Sequence, residues 1–166
     1  MTTSNKDLEA ISRYLNMPKP IICFDEDLLH RKMKNTEYFV VNLGSMNDGG
    51  THWVGLAIRG KREVCYFDPF GVIWSQKIAK YISKCTKKGF NETQIQNIAS
   101  NLCGWYCLMW LKWIQSSNKD MFRATNDFVN EFWSDYDGNS QLLKMLYINN
   151  YNLPQYLLDK LTNGID

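Results

Sequence analysis

The spacing of apolar residues changes its period several times along the chain. Near the start, Leu8, Ile11 and Leu15 recur at helical intervals, and Ser4 followed by Asp7 forms a capping-box pattern with aspartate in place of glutamate. Pro18 and Pro20 are expected to end that helix. Residues 38–43 (Tyr-Phe-Val-Val-Asn-Leu) form a short β-rich run, which predicts a buried strand. Asn47-Asp48-Gly49-Gly50 signals a turn. Strands are predicted at 52–58 and 64–68, with Gly60 in the turn between them and Pro69 closing the third strand. From Ser75 the period becomes helical: Ile78, Tyr81, Ile82 and Cys85 share one stripe. Residues 86–99 are polar and irregular. Residues 103–115 are apolar almost all round, the pattern of a buried central helix. Met121, Phe122, Thr125, Phe128, Val129, Phe132 and Trp133 predict another helix. Ser140 is expected to cap a helix through Ile148, and Pro154 to open a last one. Helix, three strands, then helices gives an α+β fold.

Composition narrows the class. The chain has 166 residues, 45% hydrophobic and 14% aromatic, which is globular, and 1–166 reads as a single domain. The net charge of +2 decides nothing about nucleic acid. Basic residues cluster at Arg31-Lys32, Lys61-Arg62 and 84–88, as a solvated surface or an anionic contact would require. No secretory signal and no apolar membrane span are visible. Five cysteines in a chain of this size suit free thiols in a reducing compartment.

Candidate chemistry gathers at four places. His30 lies in a charged stretch and reads as a surface residue. His52 opens a strand whose face-mates Val54, Leu56 and Ile58 are apolar. Asp68 ends the next strand, so the hairpin brings it near His52. A two- or four-residue turn pairs Trp53 with Asp68 and leaves His52 on the opposite face. Contact therefore requires an odd loop, a bulge, or Asp68 turning off the strand end before Pro69. Cys103-Gly104 stands where irregular chain enters the central helix, and a helix N-terminus favours a thiolate nucleophile. Gly104 would leave room for a substrate backbone. Cys107, one turn later, reads as a small buried hydrophobe. Gln96 or Gln94 supplies an amide that can donate to an oxyanion.

The order Gly-Gly-x-His-Trp, Asp-Pro-Phe-Gly, Gln, Cys-Gly-x-x-Cys resembles the adenains, the adenovirus maturation cysteine proteases, and more distantly the proteases of ubiquitin-like modifiers. Residues 42–58 look like the segment around the adenain histidine. Residues 66–71 look like its acid segment, with Asp68 where adenains carry glutamate. Gln96 and Cys103 keep the spacing from oxyanion glutamine to nucleophile. The likeness covers about residues 5–115.

The resemblance implies a papain-like fold of the adenain type: an antiparallel-rich sheet packed by helices, with the nucleophile at the N-terminus of a buried helix. It implies His52 as base, Asp68 as orienter, Gln96 as oxyanion donor and Cys103 as nucleophile. Trp53 would wall a narrow cleft. The implied function is cleavage of viral capsid or other structural precursors near glycine-rich sites, in the virion or the host cell interior (cytoplasm or viral factory), by a virus, virophage or related element. No cofactor is required by the residues; an activating peptide or DNA follows from the resemblance. Cys85 stands where mammalian adenains bond their activating peptide, though its helical stripe also explains it as core. Partners are then protein substrates, a weak nucleic-acid contact, and no membrane. Processing of a ubiquitin-like modifier is the second enzyme reading. A catalytically silent peptide-binding module and a zinc site built on the cysteines are the readings from other classes.

Overall fold

The computed structural model describes residues 3–44 and 52–163. The first helix, α1, spans Asn5–Tyr14 and carries the expected capping box: Ser4 N–H donates to Asp7 Oδ2 at 2.9 Å, and Asp7 N–H to Ser4 Oγ at 3.2 Å. It stops earlier than the prolines require. Leu15 caps it and Asn16 takes a left-handed φ of 50°, a conformation asparagine tolerates at helix ends.

The sheet has five strands in the order β1-β2-β3-β4-β5, rather than three. The three predicted strands are its centre: β2 Thr36–Asn42, β3 Trp53–Arg59 and β4 Glu63–Phe67, all antiparallel to their neighbours within that group. The additional strands, β1 Ile21–Phe24 and β5 Lys87–Phe90, add parallel at the two edges. Both are only four residues long, and β5 reads Lys-Lys-Gly-Phe, so neither shows the apolar run of a central strand. The predicted turn at Asn47–Gly50 lies outside the described residues.

Alternation along the central strands divides the interior in two. Val40, Trp53, Ala57, Cys65 and Phe67 face α3, which spans Cys103–Ser116 and is buried almost all round, as its composition requires. Phe39, Val41, Val54, Leu56, Ile58, Val64 and Tyr66 face the other way. There Leu28, Ile78 of the short helix α2 (Gln76–Tyr81), Ile82 and Cys85 cover them. The α2 helix ends at Tyr81, so Cys85 follows the helix instead of belonging to it.

The remaining helices pack around α3. Helix α4 spans Met121–Asn130 and is capped by Asp120. Phe132 and Trp133 fall beyond it; Phe132 turns inward while Trp133 is 78% exposed. Helix α5 spans Tyr136–Asn150 and starts from Asp135, whose carboxylate accepts from Gly138 N–H. Ser140 lies inside that helix, and its hydroxyl donates to the Tyr136 carbonyl. Helix α6, Gln155–Asn163, follows Pro154, whose carbonyl takes its first helical bonds.

Trp110 of α3 packs directly onto the β3 backbone at Gly55. A Cβ there would stand 2.5 Å from Cζ3 of Trp110, a buried ring stacked on Phe67. Gly55→Ala is expected to lower stability by about 1–3 kcal/mol through overpacking. Gly60→Ala meets open space and strains only its φ of 64°, costing roughly 1 kcal/mol. Urea unfolding of both variants checks this; a Gly55→Ala protein as stable as the parent would refute the close-approach argument.

Candidate active site

The β3–β4 hairpin settles the question of parity. Its loop is Gly60-Lys61-Arg62, three residues, with Arg59 paired to Glu63 and Gly55 to Phe67. Gly60 and Lys61 both take positive φ, 64° and 56°. This odd loop puts Asp68 across from Val54, on the face that His52 shares with Val54 and Leu56. His52 Nε2 meets Asp68 Oδ1 at 2.7 Å, with both side chains largely enclosed.

The Asp68 segment is held on three sides. Its backbone N–H donates to Asn91 Oδ1 at 2.9 Å, and its carbonyl accepts from Asn91 Nδ2 at 2.6 Å, so one side chain grips the whole peptide unit. Its carboxylate also accepts from the Phe70 N–H at 2.8 Å. Gly71 closes the Asp-Pro-Phe-Gly turn at φ 71° and lies against the 92–94 backbone, where a Cβ would stand 2.8 Å from Gln94 N. Phe70 stacks on the His52 imidazole, with ring centres 4.4 Å apart and planes within 9° of parallel. The ring is thereby fixed in tilt by Phe70 and in rotation by Asp68.

Cys103 is the first residue of α3 and is 5% exposed. Its Sγ accepts from the N–H of Trp53, the residue after His52, at 3.4 Å. Cys107 donates from its own sulfur to the Trp53 carbonyl at 3.5 Å. The two sulfurs of the first helical turn thus bracket the Trp53 backbone and dock the helix end onto the start of β3. His52 Nδ1 is buried and no hydrogen bond closes onto it. The nearby Cys103 sulfur nonetheless acts on the ring. Burial works to lower the proton affinity of His52, but Asp68 and then Cys103 outweigh it and raise the pKa to about 9. Burial pushes the other thiols up, Cys23 to about 12 and Cys65 to about 11, with Cys85 and Cys107 also raised.

Gln96 is wholly buried on the neighbouring loop, tied to the acid segment because the Pro69 carbonyl accepts from the N–H groups of both Ile95 and Gln96. Its amide donates to the Ser100 carbonyl at 2.9 Å and to Ser100 Oγ at 3.0 Å, while Oε1 is buried without a partner. The donor is therefore occupied in this structure. Gln94 donates to the Gln96 carbonyl and supports the loop.

Three expectations need correction. Trp53 walls no cleft: its side chain is 2% exposed and its indole N–H donates to the Thr3 carbonyl. Gly104 is small for the sake of α1, not of a substrate, since a Cβ there would stand 2.7 Å from Leu8 Cδ2. Cys85 is 4% exposed and packs its sulfur against Met33, which leaves no surface for an intermolecular disulfide. His30 is exposed, as expected. Among the described residues no set of three histidine, cysteine or acidic side chains could hold a metal ion, and no helix is long and apolar enough to cross a membrane. Sequence reasoning missed Asn91, Phe70 and Ser100. Phe70 was visible inside the Asp-Pro-Phe-Gly motif; Asn91 and Ser100 carry no local signal in a polar stretch.

Comparison with known proteins bears on this site. The adenovirus endoprotease family matches residues 28–87, a stretch that contains His52 and Asp68 and stops short of Gln96 and Cys103. No curated protein matches in sequence. Among solved structures, the ASFV pS273R protease is similar over 75% of this chain and 61% of its own, at 14% identity and a TM-score of 0.52. The chain thus spans less than two thirds of that protein. The central domain of the uncharacterized Lpg1148 protein from Legionella pneumophila aligns over 95% of this chain and 98% of its own, at 12% identity and a TM-score of 0.46. The fold is the papain-like α+β arrangement of the adenain type.

The raised value at His52 has a measurable sign. Because it lies above the ordinary imidazole value of 6.5, protonated His52 stabilises the fold fully below about pH 6.5, and that contribution is lost as pH rises through about 9. NMR titration of the ring should return a pKa near 9 in the parent and a lower one in Asp68→Asn. An unchanged value in the variant would show that the carboxylate does not set it.

Proposed function

We propose that the chain is a cysteine endopeptidase with Cys103 as nucleophile and His52 as its base. The observation that carries this reading is the convergence of two elements: Cys103 Sγ sits on the backbone N–H beside His52, and the His52 ring is turned by Asp68 so that Nδ1 remains unclaimed. The match of residues 28–87 to adenovirus endoproteases supports the same chemistry from an independent direction.

The steps follow from the geometry. The Cys103 proton rests on His52 Nδ1, giving a thiolate–imidazolium pair before substrate arrives, and Asp68 accepts from the Nε2–H of that imidazolium. The thiolate attacks a peptide carbonyl carbon, and the backbone N–H of Cys103 faces the developing oxyanion at the N-terminus of α3. Gln96 takes the second oxyanion place by turning its amide from Ser100 towards that oxygen. The tetrahedral adduct collapses, the C–N bond breaks, and the departing amine takes the proton from His52. Water then gives a proton to His52 and its oxygen to the thioester carbon, releasing the acid and restoring the thiolate–imidazolium pair.

The substrate class rests on the resemblance: viral capsid or other structural precursors cut near glycine, inside the host cell or virion. The DNA contact that the resemblance implies finds its support at the far end of the sheet. There Arg31, Lys32, Lys61, Lys80 and Lys84 line a cavity of about 400 Å³, which joins the basic clusters that the sequence keeps apart.

The test incubates the protein with structural proteins encoded beside it and sequences the new termini, with Cys103→Ala as control. New ends near glycine are expected, and Cys103→Ala should lose at least about 1000-fold in rate. Cleavage by that variant at the parent rate would remove the nucleophile, and preferential cleavage of a ubiquitin-like fusion would move the substrate class. The alkaline limb of kcat/KM should fall as pH passes about 9, where His52 loses its proton, and should move to lower pH in Asp68→Asn.

A further inference from the structure

A cavity of about 450 Å³ opens between the end of α4 and the start of α5, lined by Glu131, Trp133, Asp135, Gly138, Asn139 and Leu142. Its polar and apolar parts are arranged for one kind of guest. Trp133 shows most of its indole to solvent, while the neighbouring Phe132 packs edge-on against Tyr106 and Phe128 in the core. A single exposed tryptophan needs no explanation by itself. This one is held in place: its N–H donates to Asn139 Oδ1 at 2.8 Å and its carbonyl accepts from Asn139 Nδ2 at 2.6 Å. Exposed carboxylates stand two residues before and two residues after it, at Glu131 and Asp135. Among the described residues neither forms an ion pair. Gly138 lies against the Asp135 carboxylate, where a Cβ would stand 2.7 Å from Oδ2, and Leu142 supplies an apolar wall.

The same asparagine ties this cavity to the candidate active site. Asn139 Nδ2 also donates to the Ile95 carbonyl at 2.9 Å, and Asn97 donates to Asp137 at 3.1 Å. Ile95 directly precedes Gln96, and both backbone N–H groups rest on the Pro69 carbonyl beside Asp68. A substrate chain lying along the Gln96 loop therefore passes the Trp133 cavity.

We propose that this cavity is a substrate subsite for a lysine or arginine side chain, a reading that rests on the peptidase assignment above. An aromatic face attracts a cation, flanking carboxylates complement its charge, and an apolar wall takes the methylene stem. An acidic guest side chain meets two like charges, and a short apolar one makes neither the cation–aromatic contact nor the charge pairing. The subsite selects among glycine-containing sequences by a basic residue at one fixed distance from the scissile bond.

The test uses a glycine-centred fluorogenic peptide library in which each flanking position carries lysine, arginine, alanine or glutamate in turn. At one position lysine or arginine should raise kcat/KM about tenfold over alanine, and glutamate should lower it. Trp133→Ala should remove the basic preference, and Glu131→Lys should shift it towards glutamate; both positions are exposed, so neither change disturbs the core. The alanine peptide is the reference within each protein. Cleavage with no basic preference at any position, or a preference that Trp133→Ala retains, overturns the subsite. If no peptide is cut, the peptidase assignment fails instead. The cavity is then decided on Cys103→Ala by NMR of the Trp133 indole during titration with the lysine and glutamate peptides. Shifts from lysine alone uphold it, and equal or absent shifts overturn it.

Discussion

The hydrogen bond between His52 and Asp68 depends on the length of one hairpin loop. With two residues between β3 and β4, Asp68 would face α3 and His52 would face away from it. Three residues place Asp68 on the face that His52 already occupies, and the left-handed conformations of Gly60 and Lys61 are the local cost of the odd count. The strain sits at the end of the sheet remote from the imidazole, where it touches nothing in the site. Asn91 then secures the result, because it reads both the N–H and the carbonyl of Asp68 and so fixes the plane of that peptide.

Packing brings the Cys103 sulfur to its place, and its bond with the Trp53 N–H holds it there. Gly55 lets Trp110 reach the sheet, and Gly104 lets Leu8 of α1 reach the first turn of α3. Together these contacts set the height and rotation of the helix. Only at that setting do Cys103 and Cys107 fall on the N–H and the carbonyl of Trp53. Trp53 is thus central to the site through its backbone, while its indole belongs to the core. Two polar sulfurs at the buried end of an apolar helix are accommodated here because each has a backbone partner.

The legible parts of this fold were those with strong local patterning. The capping box at Ser4 and Asp7, the three central strands and the apolar α3 all follow from periodicity. The order of His52, Asp68, Gln96 and Cys103 was legible as a motif; the structure brings His52, Asp68 and Cys103 together, while the Gln96 amide is bonded to Ser100. Strand parity goes further: it requires an odd loop, a bulge or a turn off the strand end to unite His52 with Asp68, and the hairpin has the odd loop. The edge strands were not legible. Ile21–Phe24 is too short, and Lys87–Phe90 gains its strand character only from pairing with β4. The roles of Trp53, Gly104 and Cys85 were also hidden, because burial is decided by neighbours distant in sequence: Thr3, Leu8 and Met33. Asn91 and Ser100 carry the same lesson, as side chains whose meaning comes wholly from the backbone they meet.

The surroundings of His52 and Cys103 and the α4–α5 corner are constrained differently. His52, Asp68 and Cys103 lie on the sheet and the start of α3, where register and close packing hold them. The α4–α5 corner lies outside that region and carries few such constraints, since Trp133, Glu131 and Asp135 are all exposed. Yet Asn139 and Asn97 bind that corner to the Gln96 loop through the Ile95 carbonyl and Asp137, so exposed residues at the corner can change without moving His52 or Cys103. On the proposed peptidase reading, a fold built this way would keep one reaction fixed while its choice of substrate changes.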